Sequence, residues 1–236
     1  LFYDPLQVVG PSGINARVMM RELTDAFSNP IVLDTQMRVK GGKGYLDYIL
    51  AILNDEEPAP MAFSDYEFVL HDRFADFSNQ FEKSIVNHNL TRMISGFAWE
   101  WKTKNDKSPS AYDMEIEGRR LRWNCKQDNW VGLGIDNAEI AREIGCIHSI
   151  QGYDLSYAYV IIGRDIKYNT ETGKLYANKT NYYDRNGYLQ ASQEELTQYI
   201  KNIYYVLLTR GIRGTHVYVC DPVLRKHLSK YFMQSV

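Results

Sequence analysis

Long apolar runs are missing: no stretch of the 236 residues approaches the roughly 20 that a membrane-spanning helix needs. Cysteine is scarce, with only Cys125, Cys146 and Cys220. No C-x-x-C or Cys/His spacing accompanies them, so no zinc site is expected and the thiols fit a reduced, cytoplasmic setting. The five histidines (His71, His88, His148, His216 and His227) show no ligand spacing either, and no metal is expected to be held by this chain alone. A strong field of one sign is also lacking. The net charge is -2 and the pI near 6.2, so no global basic surface advertises a nucleic-acid partner. There is no G-x-x-x-x-G-K-(S/T); Gly10-Pro11-Ser12-Gly13 and Gly41-Gly42-Lys43-Gly44 lack the spacing that wraps phosphates and presents a lysine. No charged leader opens the sequence, which starts at Leu1 inside a strand-like run. The chain is therefore expected to be part of a longer protein.

What is present is ordinary globular material, 44% hydrophobic and 24% charged, enough for one large α/β domain or two small ones with a real core. Charge is uneven along it. Acidic residues dominate from Asp55 to Asp76, whereas Lys201, Arg210, Arg213, Arg225, Lys226 and Lys230 face only Asp221 near the end. A solvated helix face with capping charges accounts for most of that asymmetry. Strand-like segments are expected at Leu1–Tyr3, Ile31–Met37, Tyr66–Leu70, Arg92–Ala98, Tyr157–Ile162 and His216–Cys220. Helices are expected at Tyr45–Leu53, with Leu46, Ile49, Leu50 and Leu53 at helical spacing, at Phe74–Asn89, and from Ser192 to about Leu208. Ser192 and Glu195 stand in capping-box register there. Asp221-Pro222 opens a terminal helix, and Ala138–Ile144 is read as a short one.

Strands alternating with helices predict a mostly parallel sheet covered on both faces, with ligand loops at the carboxyl ends of its strands. Residues 101–137 are polar and turn-prone and are read as an insertion. It carries a hairpin, Tyr112–Ile116 with Arg119–Trp123, around Glu117-Gly118. The alternating Asp113, Glu115 and Glu117 are read as one exposed strand face. Residues 163–190 are read as a turn-rich meander.

Chemistry is concentrated in a few segments. Cys146-Ile147-His148-Ser149-Ile150-Gln151-Gly152-Tyr153-Asp154 precedes the Tyr157–Ile162 strand, and Asn202-Ile203-Tyr204-Tyr205-Val206-Leu207-Leu208-Thr209-Arg210-Gly211 follows downstream. In that order they resemble motifs V and VI of superfamily 1 helicases. Asp4-Pro5-Leu6-Gln7 resembles the D-x-x-Q core of motif III, and Leu33-Asp34-Thr35-Gln36-Met37-Arg38 resembles motif IV. With Ile94-Ser95-Gly96-Phe97-Ala98-Trp99-Glu100-Trp101 added, the whole chain resembles the Schlafen group 3-like DNA/RNA helicase domain family.

The resemblance implies an α/β, RecA-like fold of P-loop NTPase type: residues 1–236 would form the second motor lobe, with the β-rich insertion. ATP with Mg2+ would be used by the full-length protein and no cofactor by this chain by itself, because the phosphate-binding loop would lie in an N-terminal RecA-like lobe. Arg210 is the first choice for an arginine that reaches the transferring phosphate, and Arg38 the second. Gln7 would orient water or sense the γ-phosphate. Asp4, Gln151, Gly152 and Asp154 would line the nucleotide, with Gly152 admitting close backbone approach and Asp154 meeting a ribose hydroxyl; Asp4 alternatively holds its own turn or couples it to nucleic acid. Trp99, Trp101, His148 and Thr209 form the expected nucleic-acid set. For DNA or RNA, Trp99 and Trp101 are either stacking platforms or core, and His148 either bridges the two ligands or is structural. The implied function is the C-terminal half of an ATP-dependent nucleic-acid motor. The alternative is a degenerate RecA-like scaffold without ATPase activity. A nuclease is disfavoured, because no D-(x)n-E-x-K cluster occurs on a credible hairpin.

Overall fold

A computed structural model of the protein describes residues 4–10, 21–22, 38–124, 129–184, 189 and 191–233. The strands expected at Leu1–Tyr3 and Ile31–Met37, and the motif IV residues before Arg38, lie outside these. After a 3-10 turn at Pro5–Gln7 come α1 (Gly42–Leu53), β1 (Glu67–His71), α2 (Phe74–Asn87) and β2 (Thr91–Ser95). The middle of the chain forms β3 (Met114–Ile116), β4 (Arg119–Leu121), α3 (Trp130–Asp136), α4 (Ala138–Arg142) and α5 (Ile147–Ile150). Then follow β5 (Leu155–Ile162), β6 (Ile166–Asn169), β7 (Lys174–Ala177), α6 (Gln193–Leu208), β8 (Gly211–Val219) and α7 (Pro222–Ser229).

Four strands make the central sheet in the order β1-β8-β5-β2, every neighbouring pair parallel. All five residues of β2 are buried, and in β5 the run Ala158–Ile162 is buried without interruption. Such runs mark strands covered on both faces. Alternation decides which cover each residue meets. Tyr159 and His216 point toward α2: the Tyr159 ring stacks on His216 at 4.5 Å and contacts Phe77 and Phe81, and its hydroxyl meets Ser84 Oγ at 2.6 Å. Thr215 points the other way, where its hydroxyl and that of Tyr45 both donate to Leu208 O, at 3.0 and 2.8 Å, joining β8, α1 and α6. The chain is thus an α/β layer structure, a parallel sheet between helices, consistent with a RecA-like fold.

Helix α1 buries Tyr45, Tyr48, Ile49, Ile52 and Leu53, a stripe at i, i+3, i+4, i+7 and i+8. The expected face through Leu46 and Leu50 is therefore rotated, because the two tyrosines take the core positions and spend their hydroxyls on Leu208 O and Tyr231 O. Each large side chain removed from water contributes about 1.5–3 kcal/mol. Helix α6 starts as expected: Ser192 Oγ accepts from Glu195 N at 3.2 Å, and Glu195 Oε2 accepts from Ser192 N at 2.9 Å.

Two local expectations are corrected. Strand β2 stops at Ser95 rather than reaching Ala98, so Phe97, Trp99 and Trp101 do not alternate along a strand. The hairpin turn is where expected, with Glu117 and Gly118 at φ 47° and 78°, but Asp113 is not on an exposed face. It is buried and accepts from Thr103 N, Thr103 Oγ1 and Trp123 N, each at 2.8 Å. Within residues 163–190, β6 and β7 pair antiparallel and bury Ile166, Leu175 and Ala177.

Candidate functional site

In a parallel sheet, residues that immediately precede strands gather at one edge. Asp154 precedes β5 and Arg210 precedes β8, and Leu155 pairs with Gly211, so both stand at the amino edge. These motif residues thus stand opposite the carboxyl ends where ligand loops are expected. The backbone there is tight: Leu155 N donates to Arg210 O at 3.0 Å, and a Cβ on Gly211 would collide with Gly214 O. Only glycine permits that approach.

Arg38 arrives from a distant segment. Its Nε lies 3.3 Å from Asp154 Oδ1, and its guanidinium donates to Thr209 O at 3.2 Å. Arg210 donates to Tyr153 O at 3.5 Å, a long contact, and its Nε has no hydrogen-bond partner. The two arginines differ in access, the Arg38 side chain being 34% exposed whereas Arg210 is only 6% exposed. Burial pulls the Arg210 guanidinium below its ordinary range; the nearby Arg38 charge adds to that, while Asp154 and Asp4 oppose it. Two cations, one half-open and one covered, therefore sit close together, Asp154 acting on both and Asp4 on Arg210.

The Asp4–Gln7 turn adjoins them. Asp4 Oδ1 caps the turn by accepting from Leu6 N, and Gln7 Nε2 donates to Asp4 Oδ2, both at 2.9 Å. Asn202, buried on α6, holds the turn by donating to Val8 O at 2.8 Å and Pro5 O at 3.4 Å. Asn202 opens the downstream motif segment but was given no role of its own from the sequence, although an asparagine among the core positions Ile200 and Ile203 was a usable signal. Tyr205, part of the same motif segment but given no role from the sequence, is a second neighbour. Burial raises its phenol, the Asp4 and Asp47 carboxylates push the same way, and Arg38 opposes them.

Gly152, at φ 87°, has open space around the position of a side chain, and Gln151, Gly152 and Asp154 are exposed. Positive φ is a conformation glycine adopts at no steric cost, so the bend before β5 keeps its backbone accessible. Thr209 reaches the group through its carbonyl. Its hydroxyl is buried and donates back to Tyr205 O at 2.8 Å.

The remaining expected residues lie elsewhere. Trp99 and Trp101, both partly buried, follow the carboxyl end of β2, and the exposed His148 ring sits 5.7 Å from Phe97 in that same loop. Among the described residues, no group of three or more His, Cys, Asp or Glu side chains could hold a metal ion, and no helix is long and apolar enough to cross a membrane.

Known proteins resemble this arrangement in sequence. Over 170 residues, 70% of this chain, it is 34% identical to the uncharacterized protein YPL245W of Saccharomyces cerevisiae. The chain spans about 37% of that relative's length. The profile of the family described as "Schlafen group 3, DNA/RNA helicase domain" matches residues 1–221. Motif order, parallel sheet and profile agree, and the chain belongs to the Schlafen group 3 DNA/RNA helicase domain family.

Proposed function

We propose that this helicase-like domain is the second RecA-like lobe of a cytoplasmic, ATP-dependent nucleic-acid motor. Its amino edge would form half of a nucleotide cleft. The other half, with the phosphate-binding loop, would come from an N-terminal RecA-like lobe. One observation carries the reading: Arg38, Asp154 and Arg210, far apart in sequence, meet at one sheet edge beside the Asp4–Gln7 turn.

Phosphoryl transfer needs its developing negative charge matched, and an arginine from a neighbouring lobe contributes about 10^3–10^5 in rate. Guanidinium suits this, because it stays charged and binds phosphate oxygens in two places. An anion placed between Arg38 and Arg210 would also relieve their mutual repulsion. Gln7 would orient water or sense the γ-phosphate, Asp154 would meet a ribose hydroxyl, and Gln151 and Gly152 would offer backbone to the nucleotide. Mg2+ would travel with ATP.

The test is nucleic-acid-stimulated ATP turnover by the full-length protein. Arg38→Gln and Arg210→Gln should each lower kcat by at least about 10^3. Arg38 is half-exposed, so its variant should stay folded, and undiminished turnover in that variant would sink the reading. The burial of Arg210 favours a second reading, a RecA-like scaffold that does not hydrolyse ATP. Absence of any stimulation by DNA or RNA in the unaltered protein would select it.

A further inference from the structure

The opposite edge of the sheet holds a cavity of about 470 Å³ that the cleft reading does not use. Three strand ends build it: the loop Ala98–Lys102 follows β2, Arg164 follows β5, and Cys220–Arg225 follows β8. Open α/β sheets bind ligands at the carboxyl ends of their strands, and the volume lies within the roughly 300–1,000 Å³ of small-ligand sites. Its floor is fixed. A Cβ on Gly163 would collide with Ala98 and come within 2.9 Å of the Trp99 ring, and Gly163 N donates to Tyr204 Oη at 2.9 Å.

The groups around the cavity divide into two kinds. Asp113 and Glu117 are consumed within the protein: Asp113 takes three protein donors, and Glu117 accepts from Phe74 N at 3.0 Å and Tyr218 Oη at 2.9 Å. Trp99 is partly buried and packs against Gly163 and the core, whereas Tyr183 is exposed; among the described residues neither ring meets another aromatic ring. Arg164 is exposed, and its guanidinium makes no hydrogen bond or ion pair with a described residue; the Glu100 carboxylate is likewise unengaged. Arg225 donates one N–H to Asp72 O and keeps its others. Lys102 stands over the Tyr112 ring at 5.9 Å and Glu115 lies 3.8 Å from Arg120, so the cavity presents the Tyr183 ring, the open part of Trp99, two sources of guanidinium N–H and the Glu100 carboxylate.

We propose that this cavity binds one nucleotide unit, with the base on Trp99 or Tyr183, the phosphate on Arg164 and Arg225, and Glu100 accepting from a base amino group. The unit can come from a free mononucleotide or from a single strand; either presents a π-face and a phosphate together. The site lies roughly 25 Å from the amino-edge cleft, the length of an eight-residue strand, and stands or falls independently of it.

The experiment is calorimetric titration of the chain with adenosine or guanosine 5′-monophosphate, with a short mixed-sequence single strand, and with ribose 5-phosphate. Saturable binding of a mononucleotide, or of the strand alone, is expected and identifies the source. Arg164→Gln, a surface change, should weaken it at least about tenfold, and Trp99→Leu by a similar factor. Arg213→Gln, an exposed change on β8 away from the cavity, should leave it unchanged. Binding undiminished in Arg164→Gln, binding lost only in Arg213→Gln, ribose 5-phosphate binding as tightly as the nucleotides, or no binding of any probe would each overturn the assignment.

Discussion

Replacing Asp165 by asparagine should remove a pH dependence of stability that belongs to one carboxyl group. Asp165 follows β5 and is wholly buried; Oδ1 accepts from Tyr204 Oη at 2.7 Å, while Oδ2 has no partner. Burial pushes its carboxyl up from 3.8 to about 7. Between those values the unfolded chain has released this proton and the folded chain has kept it. The folded state therefore binds the extra proton, and its stability falls as pH rises through the window. The slope is up to about 1.4 kcal/mol per pH unit, or about 4 kcal/mol across the whole window. Wild-type protein alone hides this, because buried His216, lowered from 6.5 to about 3, has the opposite slope. Its unfolded form takes up a proton that the folded form refuses, so its contribution is lost as pH falls below about 6.5. The observable is the difference between wild type and Asp165→Asn in urea unfolding followed by circular dichroism, measured at steps across the window. His216 cancels in that difference. Wild type should lose about 4 kcal/mol relative to the variant from the acid to the alkaline end. A flat difference would refute the burial argument.

Two further substitutions test the packing. Lys201 Nζ meets Asp55 Oδ2 at 2.8 Å, with side chains only 12% and 10% exposed, and Asp55 Oδ1 also accepts from Leu175 N. Lys201→Met strands that carboxylate and should cost about 3–5 kcal/mol in urea unfolding; adding Asp55→Asn should return most of it, and a loss below about 1 kcal/mol would show the pair to be solvated. Ser192→Ala removes the side-chain cap of α6 and should cost about 1 kcal/mol, with faster amide exchange confined to the first turn of that helix. Exchange unchanged there would mean the cap is dispensable.

Where local chemistry decides structure, these elements could be read from the sequence. Ser192 and Glu195 announced α6, Glu117-Gly118 announced the hairpin turn, and the apolar runs announced β5 and β8. Elements decided by tertiary contacts could not be read in that way. Helix α3 carries Gly132 and Gly134 in seven residues, a poor helix by propensity. It forms because Trp130 and Val131 are buried and because the wholly buried Arg92 donates to Val131 O. A Cβ on Gly134 would lie 2.5 Å from that guanidinium, so the residue that weakens the helix is the one that lets it dock. The β6–β7 hairpin was hidden by its polar turn, and Asp113 by an alternation that its neighbours' backbone N–H groups override. At the site, motif order was legible through family resemblance. The side of the sheet and the burial of Arg210 were not, since both depend on how the residues before β5 and β8 pair.

That burial bears on how the two proposed arginines would divide their work. Arg38 is open to solvent but already engages Asp154, so a nucleotide phosphate must compete for it, and its contribution should include binding. Arg210 is covered, has an unpartnered Nε, and sits near a like charge. An unsatisfied buried guanidinium gains most from an anion, because the partner it acquires is not exchanged for water. On the proposed reading, the lobe that brings the phosphate also supplies the charge Arg210 lacks, and its contact would be made most fully when negative charge develops. Uniform binding raises affinity without raising kcat, whereas a contact strengthened in the transition state raises kcat. Arg38→Gln should therefore raise KM as well as lower kcat, and Arg210→Gln should act on kcat, which turns a difference in burial into a difference in kinetics.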